Sequence, residues 1–127
     1  MKHKVGKLIV PDEAKKELSN HEIKSFEALR DNGYVVEIIV ASKLYKVRSA
    51  DVLVNSAVWE IKSPNNNNNI EKALRKAKQQ CDRIIIDTRR TKLTEDFIVK
   101  RLLKELKLRK KLKFAKIINK NGKVIDI

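Results

Sequence analysis

The sequence predicts an α/β protein in which a single mixed sheet is flanked by helices. Two observations predict this class. Hydrophobic residues make up 42% of the 127 residues but aromatic residues only 5%, so the core must be aliphatic. Segments with the helical spacing of apolar residues also alternate with short runs rich in β-branched residues, which are typical of strands. The length fits one domain, so we expect an N-terminal extension over 1–19 and one core over 20–127.

The order of the elements supports this class. Helices and strands are expected at 21–31, 34–40, 51–54, 58–62, 70–81, 83–87, 95–110, 112–118 and 123–127, after a short helical stretch that begins at Pro11. Ser19 or Asn20 can cap the first long helix, and Gly33 can end it because glycine tolerates the left-handed conformation. The run Ile84–Ile86 is apolar throughout, which indicates a strand that is buried on both faces.

The charge balance favours a polyanionic partner. Thirty Lys and Arg against sixteen Asp and Glu give a formal net charge of +14. On a domain of this size, nucleic acid is the commonest partner. The alternatives are a ribosomal or merely soluble basic surface and a role at a membrane surface. No apolar run reaches the roughly 20 residues that span a bilayer, so we expect no membrane partner. The single cysteine, Cys81, cannot form an internal disulfide, which fits a cytoplasmic site of action.

Three residues form the candidate catalytic set. Glu60 and Lys62 stand two apart on a predicted strand, so both project from the same face. Asp51 begins the preceding strand, and a hairpin around 55–57 can bring it beside Glu60. Two converging carboxylates suit Mg²⁺ or Mn²⁺, while Lys62 can orient the attacking water or stabilise charge on the phosphate. The alternative is a surface ion pair between Glu60 and Lys62, with Asp51 as a turn residue.

Basic side chains elsewhere predict phosphate contacts. The segment 87–92 leaves the end of a buried strand, where polar groups are well placed for function. The basic residues expected to bind nucleic acid are Lys72, Lys76, Arg89, Arg90 and Lys92. Solvated charges on a helix face and on a helix-entry loop are the alternative for these residues.

Asp51 followed by Glu60-Ile61-Lys62 resembles the PD-(D/E)xK signature of restriction-endonuclease-like nucleases, and the order of the elements resembles their core. The resemblance implies that an acidic residue of the first helix, Glu22 or Glu27, joins the metal site, and we favour Glu27. It also implies an active-site Gln on the helix after Lys62, at position 79 or 80, and we favour Gln80. The sequence departs from the signature at Ala50, where the pattern has Pro.

A further resemblance covers nearly the whole chain. Five stretches resemble the C-terminal toxin domain of CdiA-type proteins: 20–24, 50–55, 59–64, 84–90 and 122–127. Members of that family are tRNA nucleases of contact-dependent growth inhibition, and a cognate immunity protein neutralises them. The resemblance therefore implies tRNA as substrate and an immunity protein as partner.

The same resemblance brings a second possible mechanism. Some CdiA nucleases have the barnase/EndoU/colicin/RelE-like α+β fold and cleave RNA without metal through its own 2′-hydroxyl. The residues that could serve that route are His21, Lys62, Asp87, Arg89, Arg90, Thr91 and Lys92. The sequence is also compatible with a DNA nuclease of the resolvase or restriction type and with a non-enzymatic nucleic-acid-binding domain.

Overall fold

The computed structural model describes residues 5–12, 18–39, 51–65, 72, 82–108 and 112–127, with Asp51 and Leu108 described by their backbone alone. The elements are β1 (Lys7–Ile9), α1 (Asn20–Asp31), β2 (Val35–Ile39), β3 (Asp51–Val54), β4 (Ala57–Val58), β5 (Glu60–Lys62), β6 (Arg83–Asp87), α2 (Glu95–Leu108), β7 (Phe114–Ile118) and β8 (Val124–Asp126). Helices and strands are mixed along the chain, so the predicted α/β class is confirmed. None of the helices described is long and apolar enough to cross a membrane.

The strands form two sheets rather than one. The chain divides into two compact units, Met1–Trp59 and Glu60–Ile127, which we call the N-terminal and C-terminal units. The first sheet has the order β1-β2-β3-β4 and the second the order β5-β6-β7-β8. The sequence predicted one strand over 58–62, but it is broken at Trp59, whose backbone N–H donates to the Val52 carbonyl at 2.9 Å. Glu60, the next residue, already pairs with Ile84 of β6.

In the N-terminal unit, α1 begins and ends as its sequence predicts. The Ser19 hydroxyl accepts from the Glu22 backbone, and the Glu22 carboxylate accepts from the Ser19 backbone, which completes a capping box. Gly33 follows the helix with a φ of +93°. Phe26 and Leu29 are buried apolar residues of its inner face. This cap satisfies two of the backbone donors that a helix start leaves without partners.

Strand β1 was not predicted, because residues 1–19 were expected to be an extension without a strand. It pairs parallel with β2, and Lys7 lies opposite Val35. Gly6 precedes the strand against the backbone of Tyr34, where an added Cβ would lie 1.9 Å from the Tyr34 carbonyl oxygen. The Gly6 N–H donates to the Arg30 carbonyl at 2.7 Å. A strand of three residues is too short for its alternation of side chains to be recognised in the sequence, and the glycine before it is the feature that indicates a close approach of two backbones.

The predicted hairpin of the N-terminal unit is confirmed, with a tighter turn than expected. Strands β3 and β4 are antiparallel, and Val54 lies opposite Ala57. Asn55 and Ser56 both have positive φ angles, 49° and 70°. Positive φ angles at two consecutive residues are typical of the type I′ turn, whose twist matches that of the strands in two-residue hairpins. The Asn55 side-chain oxygen accepts from the Val35 backbone at 2.9 Å, which ties the turn to β2.

The C-terminal unit is built on three parallel strands. Strand β6 lies between β5 and β7 and is parallel to both, while β8 is antiparallel to β7. Ile84, Ile85 and Ile86 are completely buried, which confirms that β6 is covered on both faces. Ile98 and Leu102 of α2 pack in one cluster with alternate residues of β6 and β7. The core is therefore aliphatic, as the composition requires.

The helix predicted over 70–81 lies almost entirely outside the described residues. Lys72 is described, and it is helical and exposed. Helix α2 begins where it was predicted, because the Thr94 hydroxyl accepts from the Phe97 backbone at 3.2 Å. The short helical stretch predicted from Pro11 includes Asp12, which is helical, and then also leaves the described residues.

Candidate nucleic-acid site

The strand β5 places Glu60 and Lys62 side by side, as their spacing predicts. The Lys62 ammonium lies 2.9 Å from Glu60 Oε1, and the Lys62 and Glu60 side chains are 33% and 26% exposed. Glu60 pairs with Ile84 and Lys62 with Ile86 in the parallel ladder. Because paired residues of adjacent strands project to the same side, the ion pair lies on the face of the sheet that carries Ile84 and Ile86.

A second ion pair lies at the carboxyl end of β6. The Asp87 carboxylate accepts from Arg89 Nε at 3.0 Å and from Arg89 Nη2 at 2.8 Å. It also accepts from the Arg89 backbone N–H at 3.1 Å. The Asp87 side chain is only 3% exposed. A two-pronged contact with a buried carboxylate fixes the plane of a guanidinium, so Arg89 is held rather than free to sample rotamers.

Arg90 connects the loop after β6 with the end of β5. Its Nη1 donates to the Ser63 carbonyl at 2.9 Å, and Ser63 directly follows Lys62. The guanidinium of Arg90 therefore lies beside the strand end that carries Lys62. Alternation along β6 puts Asp87 on the opposite face from Ile86, so the two ion pairs lie on opposite faces of the sheet, and Arg90 lies at its edge beside the end of β5.

Lys120 lies at the same edge of the sheet, after the end of β7. Its ammonium donates to the carbonyls of Thr88 and Thr91, which belong to the loop after β6. The Thr88 hydroxyl and backbone N–H both donate to the Ile118 carbonyl, at 2.8 and 2.9 Å. The loops that follow β6 and β7 are thus joined by side-chain and backbone contacts. In open sheets with parallel strands, the carboxyl ends are where ligands bind.

Lys120 is a functional candidate that the sequence did not indicate, because β7 and β8 were expected only to form a closing hairpin. Asn121-Gly122 marks that turn, and Gly122 does adopt a φ of +82°. Lys120 becomes a candidate once β7 is known to run parallel to β6, since its strand end then meets the end of β6. No local pattern of residues indicates the direction of β7.

Charge is divided unevenly between the units. Residues 60–127 contain 20 Lys and Arg and 8 Asp and Glu, a net charge of +12, while residues 1–59 contain 10 and 8, a net charge of +2. The net positive charge that predicts a polyanionic partner therefore lies mainly in the C-terminal unit. A domain with this density of positive charge attracts polyanions over distances of about a Debye length, roughly 8–10 Å.

The remaining predicted site residues are placed as follows. Glu27 on α1 lies 3.8 Å from Arg30 in an ion pair. Asp51 begins β3 opposite Ile39 of β2, and its side chain is not described. Lys92 is exposed in the loop after β6. Lys76 and Gln80 lie outside the described residues. The roles predicted for these residues remain predictions.

The donor chemistry of Glu60 fits a hard cation. Mg²⁺ is bound through one or two carboxylates and keeps several waters, so it needs no cage of protein ligands. Glu60 offers a partly exposed carboxylate on β5, with one oxygen against Lys62. Among the residues whose side chains are described, no three His, Cys, Asp or Glu cluster as ligands for a metal. A metal at this position would thus depend on Glu60, on waters and on further oxygen ligands.

The fold and the charge define a class of protein: a small, basic α/β domain with cationic side chains at the carboxyl edge of parallel strands. The sequence model of the family described as "Contact-dependent growth inhibition CdiA C-terminal domain" matches residues 48–124, more than half of the chain. The chain therefore belongs to the CdiA C-terminal domain family. This match confirms the family resemblance of the sequence.

A solved structure shares the fold. It is described as "CdiA-CT/CdiI toxin and immunity complex from Burkholderia pseudomallei", and it superposes with a TM-score of 0.64 at 14% sequence identity. The comparison covers 96% of this chain and 98% of that chain. At this identity the likeness concerns the fold. No curated protein matches the sequence.

Proposed function

We propose that this chain is a toxin domain that hydrolyses phosphodiester bonds of nucleic acid, with tRNA as its substrate. The observation that carries the proposal is the Glu60–Lys62 ion pair of 2.9 Å on β5, beside an edge that presents Arg90. The charge of the C-terminal unit supports a polyanionic substrate. Membership of the CdiA family supports the toxin role, and the resemblance to its tRNA nucleases supports tRNA.

In this proposal Lys62 acts on the reacting phosphate. Its ammonium can orient the attacking water or stabilise the negative charge that builds on the phosphoryl oxygens. Glu60 holds Lys62 in place and offers its carboxylate, with Asp51, to Mg²⁺ or Mn²⁺. Such a metal, when bound, polarises a phosphoryl oxygen and lowers the pKa of a bound water. Arg90 at the strand end holds the phosphate backbone in register with Lys62.

The proposed partner besides nucleic acid is a cognate immunity protein. The neighbouring fold from Burkholderia pseudomallei was solved as a toxin and immunity complex. A basic substrate-binding edge suits an inhibitor with an acidic surface, because complementary charge raises the rate of association. We propose that the immunity protein of this chain covers the edge at the ends of β5, β6 and β7.

The experiment that tests the proposed function compares substrates. Purified chain is incubated with total tRNA, with supercoiled plasmid DNA and with neither, in Mg²⁺, in Mn²⁺ and in EDTA. We expect discrete tRNA fragments and intact plasmid. Plasmid cleavage with intact tRNA would turn the assignment to a DNA nuclease. Binding of tRNA without cleavage under every metal condition would leave a non-enzymatic nucleic-acid-binding domain.

The same incubation decides how the bond is broken. Cleavage that requires Mg²⁺ or Mn²⁺ and falls with Asp51→Asn supports the metal route.

A specific observation favours the second candidate, a metal-independent ribonuclease: the buried Asp87 holds Arg89 at the end of β6 with the fixed geometry expected of a phosphate-stabilising group. Cleavage that survives EDTA and Asp51→Asn, and leaves 2′,3′-cyclic phosphate ends, would establish that route and remove the metal.

A further inference from the structure

Two cationic side chains converge at the turn between β7 and β8. Lys120 lies in this turn, and its ammonium donates to the carbonyl of Thr88, the residue before Arg89. Arg89 reaches the same turn from the other side: its Nη1 lies 4.0 Å from the position that a Cβ on Gly122 would occupy. Arg89 and Lys120 are therefore neighbours in space although they are far apart in the sequence.

Both cations are fixed by groups that hold them in place without removing all of their charge. Asp87 accepts two hydrogen bonds from the Arg89 guanidinium. Lys120 is held by neutral carbonyls of Thr88 and Thr91, which orient its ammonium but do not neutralise it. With Arg90, which is held by the neutral Ser63 carbonyl, these contacts place three cationic side chains along the edge at the ends of β5, β6 and β7. The Asp87 carboxylate pairs with Arg89 among them, so the four groups together have a charge of +2.

Placing like charges together costs free energy unless an anion completes the group. An ammonium that is fixed by backbone carbonyls at the edge of a sheet has a remaining donor that can meet a phosphate oxygen. Strands β5 and β7 are two strand spacings apart, about 10 Å. The edge from Arg90 to Lys120 is therefore long enough to contact more than one phosphate of a nucleic-acid strand.

We propose that Lys120 and the turn 119–122 form a phosphate-binding site that continues the nucleic-acid surface from the end of β5 to the end of β7. Arg89, held by Asp87, shares this site, and its ligand is a backbone phosphate of the nucleic acid. The inference rests on the proposed function for the chemical class of the ligand, but the role it gives Lys120 is in binding and not in cleavage. Lys120 contacts the nucleic-acid strand at a phosphate away from the bond that is cut.

The test measures binding separately from cleavage. The background is the full chain with Lys62→Met, and the probe is fluorescently labelled tRNA followed by anisotropy in EDTA at several salt concentrations. Lys120→Met is expected to weaken binding about 10-fold and to reduce the slope of log Kd against log salt by about one, because one phosphate contact is lost. Lys120→Arg is expected to retain most of the affinity and the slope.

Lys123→Met is the matched control, since it removes the same charge from an exposed lysine of the same hairpin, whereas the contacts with the Thr88 and Thr91 carbonyls belong to Lys120. It is expected to change the affinity less than about threefold, as one diffuse surface charge does. Equal effects of Lys120→Met and Lys123→Met would overturn the site, because they would show that only net charge matters. An unchanged salt slope in Lys120→Met would also overturn it, since a lysine that only supports the loop adds no phosphate contact.

A measurement on the unmutated lysine covers the case in which Lys120→Met does not fold. The lysines of the chain are acetylated with and without tRNA, and the extent of acetylation of each lysine is measured by mass spectrometry. Lys120 is expected to lose reactivity several-fold when tRNA is bound, while Lys123 is not. Unchanged reactivity of Lys120 in bound chain, or no binding of tRNA at any salt concentration, would contradict the inference. A wild-type chain that binds through Lys120 but cuts nothing would instead contradict the proposed function.

Discussion

The N-terminal and C-terminal units are built from similar parts but differ in strand direction and in charge. Each has a four-stranded sheet and at least one long helix. Two of the three strand pairings of the N-terminal sheet are antiparallel, and its unit has a net charge of +2. Two of the three pairings of the C-terminal sheet are parallel, and its unit has a net charge of +12.

Strand direction explains why the residues that follow β5, β6 and β7 gather at one edge of the C-terminal sheet. Parallel strands end at one common edge, so the residues that follow β5, β6 and β7 meet there. Antiparallel strands send consecutive ends to opposite edges. The hairpin turn at Asn55 in the N-terminal unit accordingly ties strands together through a hydrogen bond to Val35, whereas the loop after β6 carries Arg89 and Arg90. We therefore propose that the substrate contacts lie at the carboxyl ends of the parallel strands of the C-terminal unit.

The largest effect on cleavage is expected from replacing Glu60, the carboxylate on β5 of the C-terminal unit. Glu60→Gln keeps the shape of the side chain but removes the charge that pairs with Lys62 and would bind a metal. We expect tRNA cleavage in Mg²⁺ to fall about 100-fold or more, the size of effect seen when one charge-stabilising group is lost. Asp96→Asn is the control, because Asp96 is an exposed carboxylate of the same unit, paired with Lys100. Equal activity of both variants would remove Glu60 from the site.

A second prediction concerns the core that supports the edge. Ile86→Ala deletes a completely buried side chain of the central strand β6. We expect the free energy of unfolding to fall by about 2–5 kcal/mol, since the residual cavity adds to the lost burial. Ile125→Ala, at an exposed residue of β8, should cost about 1 kcal/mol or less. Denaturant unfolding checks this, and similar costs for both variants would contradict the burial of β6 on both faces.

A third prediction tests the close approach of Gly6 in the N-terminal unit. Gly6→Ala puts a Cβ against the backbone of Tyr34, which cannot yield as the end of a flexible side chain can. We expect a loss of about 1–3 kcal/mol in unfolding free energy, with cleavage unchanged below the melting temperature. The control is Val5→Ala at the exposed preceding residue. Loss of cleavage in a folded Gly6→Ala chain would break the comparison, because it would show that β1 supports the chemistry.

The smallest expected effect concerns the cap of α1. Ser19→Ala removes the hydroxyl that accepts from the Glu22 backbone at 3.4 Å and donates to its carboxylate at 2.8 Å. The expected cost is about 0.5–2 kcal/mol, again without an effect on cleavage. Asn20→Ala, at the exposed first residue of the helix, leaves the cap in place and serves as control. Thermal unfolding of both variants checks this, and equal stability would argue against the capping box.

Local signals in the sequence predicted most of the elements. Periodicity and caps placed α1 and the start of α2, and the run Ile84–Ile86 placed β6. Spacing alone predicted that Glu60 and Lys62 share a face, and their ion pair confirms it. These features depend on neighbours within a few residues, so the sequence carries them directly.

Features that depend on distant contacts were not predicted. The break at Trp59 separates two sheets, yet apolar and β-branched residues continue through it without a turn signal. The parallel pairing of β6 with β7, and with it the position of Lys120, depends on which strands meet across the sheet. The predicted catalytic, metal and tRNA assignments remain predictions, because they depend on ligands and on side chains such as that of Asp51.

The rate at which Lys62→Met cleaves tRNA tests the central claim most directly. The single-turnover rate on end-labelled tRNA is compared between the wild type, Lys62→Met and Lys100→Met, whose lysine lies exposed on α2. We predict a rate at least about 100-fold lower for Lys62→Met, with the wild-type rate for Lys100→Met and equal melting temperatures for all three. Cleavage by Lys62→Met at the wild-type rate would contradict the catalytic role of the β5 ion pair.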